Sequence, residues 1–174
     1  MAQGGFNMSM EINDLKLAMI KYMGGDARRI HHFIKVHSLA KMIGELEKLP
    51  AEVQYTLEVA SLTHDIGIRP GEAKYGVGKV TGKIQEQEGP TVAKKMLTDL
   101  GCDPQVMERV CFLIGHHHTF DNIDTLDYQI LVEADYLVNL YEDGLPKENV
   151  KTAIERIFKT KSGTQICKDM YAVS

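Results

Sequence analysis

Four side chains stand where apolar residues are expected. His64 and Asp65 sit in Ser-Leu-Thr-His-Asp-Ile-Gly, residues 61–67, just after Leu57, Ala60 and Leu62. His32 lies one helical turn before Val36, on the stripe that continues through Leu39, Ala40 and Ile43. His31 and His37 are expected to point well away from that line. Asp135 shares a helical face with Leu131 and Val138, while Glu133 falls on another side and is expected to be solvated. An unpaired carboxylate among apolar neighbours costs roughly several kcal/mol, so Asp135 must be paired with a base, protonated, or bound to a cation. No basic residue lies within one turn of it on its own helix. Taken alone, an inward His32 reads as a core histidine with a backbone partner. Taken together, imidazole nitrogens and two carboxylates form a mixed N/O donor set. Such a set suits Mn, Fe, Co, Ni, Zn or Mg and leaves positions open for water and substrate. A lone His-Asp dipeptide is weakly specific. A histidine, then His-Asp about thirty residues on, then an inward aspartate on a later helix, is a strong pattern.

A second cluster follows. Val110, Leu113 and Ile114 make a buried stripe, and His117 continues it toward the same interior. His118 could follow, and His116 should point outward. A solvated histidine cluster at a helix end, favoured by the helix dipole, is the plainer alternative. Arg69, Lys74, Lys79 and Lys83 are cations in the stretch after Asp65; Arg69, nearest in sequence, is the best candidate for a phosphate. The Gly/Lys pattern there is not a P-loop, because no glycine stands four residues before a Gly-Lys-Ser/Thr.

These residues need helices to position them. Ile12, Leu15, Met19 and Tyr22 mark a helix over about 10–23, stopped at Gly24-Gly25. Asp26 can cap a second helix that runs to about Leu49, before Pro50. A third runs from Ala51 to near Asp65. Residues 66–88, rich in Gly and Lys, read as a long loop. Pro90 suits the first turn of a fourth helix ending at Gly101. Asp103-Pro104 opens a fifth, reaching His117. A sixth covers about 127–142 and closes at Gly144, Pro146 opens a seventh, and a short helix follows Gly163. The expectation is an all-α fold: one domain over 1–174, six to eight helices, a core of about 26–160, and flexible residues 1–9.

The 174 residues suffice for one sizeable core, and 44% hydrophobic with 25% charged is ordinary for a soluble globular chain. A net charge of -4 argues against a general nucleic-acid binder. No apolar run approaches the roughly 20 residues of a membrane span, and no secretory leader is evident. Cys102, Cys111 and Cys167, odd in number and widely spaced, point to a reducing, cytoplasmic setting.

The chain resembles the HD-domain metal-dependent phosphohydrolase superfamily, whose pattern is H…HD…D on a helical scaffold. His-His-Phe-Ile-Lys-Val-His-Ser-Leu-Ala resembles the first motif, with a histidine four residues before a valine, and so points to His32. Thr-His-Asp-Ile-Gly resembles the second, placing His64 and Asp65, and Glu-Ala-Asp-Tyr-Leu the last, placing Asp135. The resemblance spans about residues 28–142. It implies that His32, His64, Asp65 and Asp135 hold one divalent metal. It implies hydrolysis of a phosphate ester on a nucleotide or small phosphorylated metabolite, with Asp65 and His117 catalytic and with Arg69, His117 and His118 contacting substrate. A histidine pair like His117-His118 occurs in members with more than one metal. However, many such members carry His-Glu where this chain has Gln85-Glu86, which puts a second metal in question. Glu86 or Glu88 is left as a substitute ligand or as surface charge. The Gly-Tyr-Pro motif of cyclic-di-GMP hydrolases is absent. Two other readings stay open: a catalytically silent metal- and nucleotide-binding sensor, and a purely structural bundle in which Asp135 has a basic partner. A homo-oligomer is compatible with either.

Overall fold

Helix α3 (Ala51–Thr63) is the element around which the others are arranged. Every residue from Tyr55 to Thr63 is buried, including Glu58, Ser61 and Thr63. A helix apolar nearly all round belongs inside a protein. Its buried hydroxyls are satisfied locally: Ser61 Oγ donates to Glu58 O, and Thr63 Oγ1 to Val59 O. The computed structural model describes residues 10–174, so the expectation for residues 1–9 lies outside the described residues. Packed against α3 are α1 (Ile12–Tyr22), α2 (Ala27–Leu46), α6 (Pro104–Ile114) and α7 (Leu126–Glu142). Helix α4 (Ile68–Tyr75) follows α3 and packs on α5 (Gly82–Asp99), which lies beside α6, while α8 (Lys147–Arg156) and α9 (Lys161–Tyr171) cover α7. The fold is all-α, with nine helices and no strand among the described residues, and none of these helices is long and apolar enough to cross a membrane.

Most helix starts follow side-chain chemistry visible in the sequence. Asp26 caps α2 by accepting from Arg29 N at 3.1 Å. Asp103 caps α6 through Gln105 N and Val106 N, with Pro104 in the first turn. The exception is residues 66–88, which are not a loop. They hold α4 and the first half of α5, and Pro90 lies inside α5. Thr81 supplies the cap, accepting from Ile84 N at 3.3 Å. Close packing then carries the helix past the proline. A Cβ on Gly67 would lie 2.6 Å from Gln85 O and 2.7 Å from Gly89 N, so α5 crosses the start of α4 backbone to backbone. A Cβ on Gly89 would lie 2.6 Å from Ile114 Cγ2, so the same segment also abuts α6. Tertiary contact therefore outweighs the local preference of Pro90 for a helix start.

Two further expectations are corrected. His37 is buried on another face of α2, its Nε2 3.1 Å from Glu58 Oε2, in a network with Lys41 and Gln54. Glu133 is not solvated but fully buried. Its Oε1 accepts from Lys159 N at 2.7 Å and Thr160 N at 2.8 Å, and its Oε2 from Thr160 Oγ1. It thus holds the entry to α9 against α7, and Gly163 leaves the space it needs: a Cβ there would lie 2.0 Å from Glu133 Oε2.

Two stability outcomes follow. Gly67→Ala meets backbone atoms that cannot rotate away, and a loss of about 1–3 kcal/mol is expected, measured by denaturant unfolding. Glu58 is also informative. Burial alone would raise its pKa, but hydrogen bonds from His37, Gln54 and Lys41 outweigh this and lower it from 4.5 to about 2. A depressed carboxylate stabilises the fold above its unfolded value and loses that contribution as pH falls toward 2. Glu58→Gln is expected to flatten the decline of unfolding free energy between pH 4.5 and 2, by about 1–2 kcal/mol after solvent screening of Lys41, measured by denaturant unfolding across that range.

Candidate metal centre

His32 projects from the second turn of α2, His64 caps the end of α3, Asp65 follows it, and Asp135 lies midway along α7. The sequence sets His32, the His64-Asp65 pair and Asp135 far apart, and the packing of α2 and α7 on α3 brings them together. His32 Nε2 lies 3.1 Å from Asp135 Oδ1, 3.2 Å from His64 Nε2 and 3.5 Å from Asp65 Oδ2. His64 Nε2 lies 3.5 Å from both Asp65 Oδ2 and Asp135 Oδ1. His64 has no exposed surface, and the side chains of His32 and Asp135 are less than a tenth exposed.

Outer hydrogen bonds define what these imidazoles present inward. His64 Nδ1 is 2.8 Å from Ser61 O, and a carbonyl oxygen can only accept, so Nδ1 carries the proton. His32 Nδ1 donates in the same way to Glu142 Oε2 at 2.9 Å. In the neutral rings, both Nε2 atoms then point lone pairs at one another and at two carboxylates. Acceptors facing acceptors in a buried space require positive charge between them. The pKa shifts express the same requirement. Burial alone would lower His64, but Asp65 and Asp135 outweigh it and raise it to about 9. Burial alone would raise Asp65 and Asp135, but the facing imidazoles hold both far below the usual carboxylate range. His32, His64 and Asp65 therefore offer a nitrogen and oxygen donor set that could hold a divalent cation of the kinds named above, with Asp135 Oδ1 beside the two imidazoles.

Asp65 faces two ways. Its Oδ2 joins the first cluster, and its Oδ1 lies 3.6 Å from His117 Nε2. His117, just beyond α6, is buried as expected, and its Nδ1 donates to Ile114 O at 2.8 Å. Its Nε2 is buried with no hydrogen-bond partner among the described residues. His118 is half-buried beside it, ring centroids 4.0 Å apart, and His116 is exposed, stacked on Phe112. Donor atoms of His32, His64 and Asp65 lie within 4.8 Å of one another, as do those of Asp65, His117 and His118, so either group could hold a metal ion. Gln85 accepts from His118 Nε2 at 3.1 Å. Burial, then the neighbouring His117, lowers the His118 pKa to about 4, which keeps that ring neutral.

Several supports escaped the sequence reading. Glu86 is buried, and its Oε1 accepts from His118 N and Thr119 Oγ1, so it holds the His117-His118 turn. Tyr128 Oη donates to His116 O and Thr119 O on the other side of that turn. Asn139 Nδ2 donates to Asp135 Oδ1 at 3.0 Å. Asp135, Asn139 and Glu142 follow a four-then-three spacing on α7, a signal that one helical face carries all three. Arg69 is not brought to the cluster. Its guanidinium donates to Gly24 O at 2.7 Å and lies over the Tyr22 ring. Instead, a cleft of about 380 Å³ opens beside His32 and Asp65, lined by Asp26, Arg28, Arg29, Asn139 and Glu142. Arg29 is held across it by Glu72, at 2.7 and 3.0 Å.

No curated protein matches the chain. Among solved structures, it is similar to a predicted HD superfamily hydrolase from an uncultured Thermotogales bacterium. The two are 25% identical with a TM-score of 0.62, over 92% of this chain and 83% of that one. The HD domain family matches residues 29–140, a span that contains His32, His64, Asp65, His117 and Asp135 in their observed cluster. With that match over more than half of its length and a helical core of the same kind, the chain belongs to the HD domain family.

Proposed function

We propose that the protein is a metal-dependent phosphohydrolase acting on a nucleotide or related small phosphate ester. The observation that carries this reading is the convergence of His32 Nε2, His64 Nε2, Asp65 Oδ2 and Asp135 Oδ1, acceptors that only a cation or protons can reconcile. The similar solved structure, described as a predicted hydrolase of this superfamily, supports the same class. A divalent ion held by those four side chains supplies Lewis acidity toward a phosphoryl oxygen and lowers the pKa of a water.

The remaining work falls to residues of the chain. Asp65, with Oδ1 free of the first cluster, can accept a hydrogen bond from the attacking water and orient it. His117 presents Nε2 toward the same region with no hydrogen-bond partner among the described residues, so once protonated there it can stabilise phosphoryl charge or give its proton to the leaving oxygen. His118 gives its one N–H to Gln85, so as a neutral ring it offers phosphate no donor and stands beside His117 as a lone-pair neighbour. Hydrolysis then breaks the phosphorus–oxygen bond to the leaving group, and the water oxygen takes its place on phosphorus. Arg28 lines the cleft and is the cation better placed for a phosphate than Arg69, because Arg29 is already paired with Glu72 and Asp26.

The test is metal-stripped protein reconstituted with Mn, Fe, Co, Ni, Zn or Mg and offered a panel of nucleotides and phosphodiesters. Release of phosphate or nucleoside product with at least one metal is expected. Thermal stabilisation by a nucleotide with no product would favour a binding module, and inertness with every metal would end the enzyme reading. Within an active preparation, His117→Gln is expected to lower kcat by about 10²–10⁴-fold. Arg69→Ala is expected to leave kcat and KM within about twofold, since surface substitutions outside a site change little.

A further inference from the structure

The three inward imidazoles differ in what holds their outer nitrogens. His64 and His117 donate Nδ1–H to backbone carbonyls, of Ser61 and Ile114. His32 alone among the three donates to a side chain, Glu142 Oε2 at 2.9 Å. Glu142 is the last residue of α7, and its side chain is 11% exposed. Its second oxygen, Oε1, lies 2.5 Å from Lys35 Nζ. Lys35 is one turn beyond His32 on α2, nearly half exposed, and its ammonium also lies 5.8 Å from the Tyr141 ring. A single carboxylate therefore bridges an inward imidazole and an outward ammonium between α2 and α7.

We infer that Glu142, held in place by Lys35, is the positioning residue for His32 and tunes the cation affinity of the centre. Three physical effects follow from the geometry. The carboxylate fixes the proton on Nδ1, which leaves the Nε2 lone pair facing Asp135 and His64. It restrains rotation of the ring, which a freely solvated imidazole would not have. Its charge strengthens the imidazole as a donor, and the Lys35 pairing moderates that charge. Backbone carbonyls at His64 and His117 can do the first two but not the third. The sequence hints at this role only through spacing: Glu142 stands seven residues after Asp135, on the same face of α7.

The inference about affinity rests on the proposed metal centre, whereas the His32–Glu142 hydrogen bond does not. The experiment therefore has two readouts on the full-length chain and its Glu142→Ala and Glu142→Gln variants, with melting in EDTA to confirm that each is folded. The first is Mn2+ affinity by calorimetry. Glu142→Ala is expected to weaken it by about 10–100-fold, and Glu142→Gln, which retains an acceptor for Nδ1–H, by less. Equal affinity in wild type and both variants overturns the inference. The second is the imidazole N–H resonances of the metal-free protein, assigned with His32 and His64 variants. Loss of the His32 Nδ1–H signal in Glu142→Ala, with the His64 signal retained, supports the inference. An unchanged His32 signal overturns it. Should wild type bind no Mn2+, the metal reading fails, and the resonances alone decide whether Glu142 positions His32.

Discussion

Lone pairs facing carboxylates among buried side chains are the constraint on which this structure depends. His32 and His64 are committed by their outer hydrogen bonds to presenting Nε2 inward, where Asp65 and Asp135 meet them. Neither an apolar core nor an ordinary ion pair tolerates that arrangement, because its centre lacks positive charge. The same clustering in a solvated cleft would be weak. Its strength comes from burial, since a low local dielectric magnifies both the repulsion of bare acceptors and the reward for a cation.

The scaffold concentrates rigidity around that centre. Helix α3 is buried nearly all round and ends at His64, so the His-Asp pair emerges from the most constrained element. Tyr22 Oη donates to Ile66 O, tying the turn after Asp65 to α1. On the far side, Arg109 grips Asp124 and Asp127 and fixes the start of α7, whose Tyr128 reaches the carbonyls around the His117 turn. Sites positioned to fractions of an ångström need this kind of support, because small displacements of a ligand or base cost large factors in rate.

The polar groups buried elsewhere make a useful contrast. Glu133 is fully buried yet fully satisfied by the amides and hydroxyl at the entry to α9, and Glu58 is met by His37, Lys41 and Gln54. These are closed networks with structural roles. Among the described residues His117 Nε2 has no such partner and faces Asp65, which is why the proposed chemistry draws on it and not on them. The structural reading of Asp135, in which a lysine or arginine neutralises it, finds no such partner among the described residues: its neighbours are His32, His64 and Asn139.

Helical period and residue type were enough to place His32, His64, Asp65, Asp135 and His117 inward and to mark the caps at Asp26 and Asp103. The reason is local: in a helix, spacing alone dictates which side chains share a face. Spacing says nothing about what that face meets. His37 and Glu133 sat off the chosen stripes and were still buried, because α3 and the entry to α9 cover a second face of their helices. Residues 66–88 looked like a loop because Gly, Lys and a later Pro disfavour helix, and they became α4 and half of α5 through the close crossing at Gly67 and Gly89. Arg69, four residues after Asp65, was turned away from the site, while Arg29, three before His32, and Glu142, seven after Asp135, were brought to the cleft beside it. Proximity along the chain is one-dimensional, and only the packing of α2, α3 and α7 decides which charges come within reach of one another.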